Sequence, residues 1–72
     1  SKIERCEAEI EKLEGEKSRL EKEAEGDASG DYVRLYEIYA RADEIDKLLD
    51  LLYDEIDAAE KALAVLGGSN GQ

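Results

Sequence analysis

An all-α fold, an antiparallel two-helix coiled-coil hairpin, follows from three features of the sequence. Two stretches repeat aliphatic residues at alternating steps of three and four, the pattern of a coiled-coil seam. The only turn-forming cluster inside the chain lies between them. Charged residues make up 42% of the chain and Pro, Phe, Trp and Met are absent, a composition that makes long helices rather than strands.

Helix 1, about residues 2–25, opens on Ser1-Lys2-Ile3-Glu4. This is the form of a capping box, in which the Ser hydroxyl accepts from the Glu4 amide and the Glu4 side chain reaches back. The seam reads Ile3, Cys6, Ile10, Leu13, Lys17, Leu20 and Ala24, flanked by Glu7, Glu14 and Glu21 on one side and Glu9, Glu16 and Glu23 on the other. Lys17 is the one charge in that seam. Its stem packs while its ammonium reaches a flanking Glu, and a residue of this kind sets register at some cost in stability. Gly15 falls on the outward face, where it costs about 1 kcal/mol relative to Ala without disturbing the seam.

The turn is Gly26-Asp27-Ala28-Ser29-Gly30-Asp31. Gly26 is expected to supply the left-handed residue that ends helix 1, and Asp31 or Ser29 to cap helix 2. A connection this short makes the helices antiparallel neighbours. Helix 2, about residues 32–66, carries the longer ladder: Leu35, Ile38, Ala42, Ile45, Leu49, Leu52, Ile56, Ala59, Leu63 and Leu66. Gly67-Gly68 is expected to stop it, leaving 67–72 as a flexible tail.

Folding at the turn pairs Leu20 with Leu35, Lys17 with Ile38, Leu13 with Ala42, Ile10 with Ile45, Cys6 with Leu49 and Ile3 with Leu52. One edge then aligns Glu23 with Arg34, Glu16 with Arg41 and Lys2 with Glu55, so Arg34 and Arg41 join Lys17 as register-setting residues. The other edge aligns Glu21 with Tyr32 and Glu14 with Tyr39, rings that lie as lids over the seam. It also sets Glu7 opposite Asp46, a like-charge pair. In this alignment helix 1 ends near Leu52, and Ile56, Ala59, Leu63 and Leu66 have no partner. The same half of helix 2 bears Leu48, Leu51, Tyr53, Ala58, Ala62 and Val65. The interface candidates are therefore Leu48, Leu51, Leu52, Tyr53, Ile56, Ala59, Ala62, Leu63 and Leu66, an uncovered apolar surface through which two copies would pair into a four-helix arrangement.

The net charge of −10 opposes phosphate backbones and anionic membranes. The one basic stripe, Arg5, Lys12, Arg19 and Lys22, is expected to be neutralised by Glu9 and Glu16 within the helix. Cys6 is the sole cysteine and sits in the seam as a small buried hydrophobe. It leaves no internal disulfide, and a reducing, cytoplasmic setting is the expectation. The longest wholly apolar run, Ala62–Leu66, is far short of the roughly 20 residues of a membrane span. Asp27–Asp31 has the look of a calcium loop, but Tyr32 stands where that loop needs Gly and Ile38 where it needs Glu. With no His and no phosphate-binding glycine loop, the sequence offers no catalytic set, metal site or cofactor site.

The segments Ile3-Glu4-Arg5, Ala8-Glu9-Ile10-Glu11-Lys12-Leu13-Glu14, Asp31-Tyr32-Val33-Arg34-Leu35, Asp43-Glu44-Ile45-Asp46 and Tyr53-Asp54-Glu55-Ile56-Asp57 resemble the C-terminal coiled-coil domain of ABC-F ATPases. The likeness covers nearly the whole chain; Ile56 stands where that family usually carries Trp. It implies a non-catalytic appendage to tandem ATPase domains that act on the ribosome, with ribosome or nucleic-acid contact as an associated role. The combined expectation is an interaction module that works by protein contact, with itself or with host ATPase domains, through the C-terminal half of helix 2.

Overall fold

The structure, a computed structural model, describes the backbone of residues 1–71 and the side chains of residues 1–66. Two helices account for it: α1, Lys2–Glu25, and α2, Tyr32–Gly71. At 1.5 Å per residue they are about 36 Å and about 60 Å long. They lie side by side in a rod of 61 × 15 × 14 Å, so the fold is the all-α hairpin that the heptads require.

The helix ends follow local chemistry. The Ser1 hydroxyl accepts from the Glu4 amide (3.3 Å) and the Ser1 amine donates to Glu4 Oε1 (3.1 Å), closing the capping box. Asp31 begins α2, its carboxylate accepting from the Arg34 amide at 3.0 Å and its carbonyl from Leu35 at 2.9 Å. Gly26 is a correction: its φ is −109°, and no positive φ occurs among the described residues. Helix α1 ends instead because the Gly26 amide is shared between the carbonyls of Lys22 and Glu23 while the Ala28 amide also turns back to Glu23. These bonds fold the turn over the end of the seam and bury Ala28.

The far end of α2 is a second correction. The helix runs on through Gly67-Gly68 to Gly71, past the Leu66 boundary, and Gln72 lies outside the described residues. Glycine weakens a helix by about 1 kcal/mol relative to Ala but keeps its N–H, so without a competing cap the backbone ladder continues.

The core lies where the two ladders meet. Cys6, Ile10 and Leu13 of α1 are buried against Ile38 and Ile45 of α2, the last two almost wholly shut from water. The register differs from the one read off the sequence. Arg34 still meets Glu23 and Arg41 still meets Glu16, but Lys17 reaches Asp46, Cys6 reaches Glu55, and Ile3 shares a groove with Ala59 and Leu63 rather than Leu52. Helix α1 thus covers α2 roughly half to one heptad further than expected, about 5–10 Å at 1.5 Å per residue. An aliphatic ladder permits that slip because each step presents another apolar side chain. The turn decides among registers, and the long guanidinium arms of Arg34 and Arg41 keep their partners in either.

Candidate interaction surface

Cross-helix polar contacts fix the two edges of the hairpin. On one, Arg34 grips Glu23 with two parallel bonds, Nε to Oε2 at 2.5 Å and Nη2 to Oε1 at 2.8 Å. Arg41 grips Glu16 in the same way at 2.6 and 2.9 Å and also bonds Glu44 on its own helix. Such forked pairs fix geometry as well as charge. The hydrogen bonds hold the Glu16 and Glu23 carboxyls below the usual carboxylate range and raise the pKa of both guanidinium groups. No ion pair links Lys2 to Glu55 among the described residues. Both line a shallow hollow with Arg5, Cys6 and Leu52, and the Cys6 thiol donates to Glu55 at 3.4 Å. Burial, then that hydrogen bond and the Glu55 charge, push the Cys6 thiol pKa up.

On the other edge Lys17 leaves the seam for Asp46 of α2 at 2.6 Å, not for a flanking Glu of its own helix. That bond raises the Lys17 pKa and gives Asp46 a cation, removing the difficulty posed by Glu7. Tyr53 donates to Glu14 at 3.3 Å in the place foreseen for Tyr39. Tyr32 and Tyr39 are not lids: they stand exposed because the slipped register carries them away from Glu21 and Glu14.

The distal half of α2 divides the interface candidates into two groups. Leu52, Ile56 and Ala59 are half-buried, because α1 extends over them; this corrects the expectation that Ile56 and Ala59 have no partner. Leu48, Leu51, Tyr53, Ala62, Leu63 and Leu66 stay exposed, with Leu51 at 60%, Leu63 at 59% and Leu66 at 64%. A groove of about 280 Å³ at the end of α1 lies among them, lined by Ile3, Ala59, Ala62 and Leu63 with the stems of Ser1 and Lys2. Seven-residue repetition on α2 therefore runs beyond its cover. Leu48, Leu51, Ala58, Ala62 and Val65 form a second apolar ladder beside the first, interrupted by Glu55, so this half of the helix is apolar on more than one side.

Sequence reasoning overstated one neutralisation. None of Arg5, Lys12, Arg19 and Lys22 enters an ion pair among the described residues, because Glu16 is claimed by Arg41 across the seam. No group of three or more His, Cys, Asp or Glu side chains is placed to hold a metal ion among the described residues, and no described helix is long and apolar enough to cross a membrane. No known family model matches the chain, and neither a characterised protein nor a solved structure matches it.

Proposed function

We propose that this chain is a non-catalytic coiled-coil interaction module acting by protein contact, either self-association or docking onto a larger host, through the uncovered end of α2. The observation that carries the reading is the exposure of Leu51, Leu63, Val65 and Leu66 on a helix that continues past the end of its intramolecular partner. Apolar surface of that kind costs solubility unless something covers it. Its resemblance to the C-terminal coiled coil of ABC-F ATPases makes tandem ATPase domains the host we favour. Sedimentation velocity tests the self-association branch: a dimer that reverts to monomer on Leu63→Glu supports it. A monomer at high micromolar concentration, unchanged by that substitution, rejects it and leaves host docking, to be tested by co-purification with the ATPase domains.

A second reading, a ribosome or nucleic-acid contact, draws on Arg5, Lys12, Arg19 and Lys22, which enter no ion pair among the described residues, and on the same resemblance. The net charge of −10 works against it. A mobility shift at about 50 mM salt, where phosphate contacts are strongest, decides. No shift there removes this reading.

A further inference from the structure

The two edges of the hairpin differ in charge and in aromatic content. On the edge marked by the Tyr53–Glu14 hydrogen bond, the outward ladder of α1 carries Glu4, Glu7, Glu11, Glu14, Glu21 and Glu25, all exposed. The facing ladder of α2 supplies Asp43, Asp46, Asp50, Asp57 and Glu60, also exposed. Neither ladder contains a Lys or Arg. The edge joined by the Arg–Glu pairs is instead balanced: Lys2, Arg5, Lys12, Arg19, Arg34 and Arg41 stand against Glu9, Glu16, Glu23, Glu37, Glu44 and Glu55. The net charge of −10 is thus concentrated on one edge.

All four tyrosines of the chain, Tyr32, Tyr36, Tyr39 and Tyr53, fall on that acidic edge. Tyr32 and Tyr36 are 83% and 77% exposed, and with Val33 and Glu37 they line an open hollow near the turn. Three of the edge's aspartates are met by cations from outside the ladders, Asp46 by Lys17, Asp43 by Lys47 and Asp57 by Lys61. Glu7, Glu11, Glu21, Glu25, Asp50 and Glu60 have no such partner among the described residues.

We propose that the tyrosine row Tyr32–Tyr36–Tyr39, set in this acidic edge, is a docking surface for a cationic polypeptide segment bearing arginine or lysine side chains. Charge complementarity selects the occupant. A second copy would set its own carboxylates against these, and a purely apolar partner would strip water from carboxylates without pairing them. A guanidinium group satisfies both features at once, stacking on a tyrosine face while its N–H groups fork onto a carboxylate. This surface lies on a different edge from the Leu48–Leu51 ladder and stands whether or not the distal end of α2 associates.

Nona-arginine is the probe, with calorimetry at about 50 mM salt for affinity. Tyrosine emission gives the location, because the chain has no Trp and every Tyr lies on this edge. Saturable binding with a change in tyrosine emission is expected. The exposed-site variant Tyr32→Leu/Tyr36→Leu/Tyr39→Leu, checked for helicity, should bind about tenfold more weakly, since it keeps apolar area and removes the ring faces. Glu21→Gln/Glu25→Gln, on the same edge at the turn end, should weaken binding, while Glu9→Gln/Glu44→Gln, an equal charge change on the opposite edge, should leave it within about twofold. Absence of saturable binding overturns the proposal. So do equal losses for the two Gln pairs, full affinity in the Leu variant, a dimer that this variant abolishes, or a change in tyrosine emission caused by oligothymidylate instead.

Discussion

Removing the centre of the seam should unfold this hairpin, whereas removing an equally large residue from its end should not. Ile45 is fully shut from water and Leu66 is 64% exposed, although both occupy the same heptad ladder. Ile45→Ala deletes three carbons, worth about 2.4 kcal/mol at about 0.8 kcal/mol each. The cavity left behind raises the loss into the range of about 2–5 kcal/mol. For a domain of this size about 1 kcal/mol moves Tm by about 4–8 °C, so the midpoint should fall by at least about 10 °C. Leu66→Ala should stay within about 0.5 kcal/mol of the parent in the monomer. Urea and thermal melts followed by circular dichroism at 222 nm, run at a concentration where sedimentation shows one chain, measure both. A loss below about 1 kcal/mol for Ile45→Ala, or an equal loss for Leu66→Ala, would refute the placement of the core.

Three further outcomes follow from the same contacts. Gly15→Ala should stabilise the chain by about 1 kcal/mol, seen as a higher Tm, because the added Cβ meets only Arg19 Nη1 at 3.5 Å and the helix loses its most flexible interior residue. The lowered pKa values of Glu16 and Glu23 contribute stability that is present above the ordinary carboxylate range and lost as pH falls through their folded values. Glu16→Gln/Glu23→Gln should therefore lower Tm at pH 7 and narrow the gap between Tm at pH 7 and pH 3; an unchanged gap would count against the bidentate pairs. The buried Cys6 thiol, with its raised pKa, should react with iodoacetamide at pH 8 far more slowly in buffer than in denaturing urea, and similar rates would contradict its burial.

Much of this fold is legible in the residues. Ser1 with Glu4 and Asp31 before the second ladder mark the helix starts by side-chain chemistry that acts within one turn, and the structure keeps both. Arg34–Glu23 and Arg41–Glu16 were also readable, as opposite charges flanking a seam. Register was not, because a ladder with an apolar side chain at every step looks the same after a slip. Only the path of the turn distinguishes the alternatives, and that path rests on backbone bonds from Gly26 and Ala28 to Glu23 that composition does not reveal. The slip then propagates: it covers Ile56 and Ala59, frees Tyr39, and delivers Glu14 to Tyr53. The acidic, tyrosine-bearing edge was available in the sequence as two unbroken ladders lacking Lys and Arg. Net charge averages the two edges and so conceals it.

Intramolecular disulfide trapping tests the antiparallel register most directly. In a Cys6→Ala background, cysteines at positions 3 and 59 should oxidise within one chain faster than cysteines at 3 and 52, because Ile3 and Ala59 line the same groove. Faster closure of the 3–52 pair would restore the tighter alignment, and cross-links formed only between chains would show that the helices do not fold back on one another.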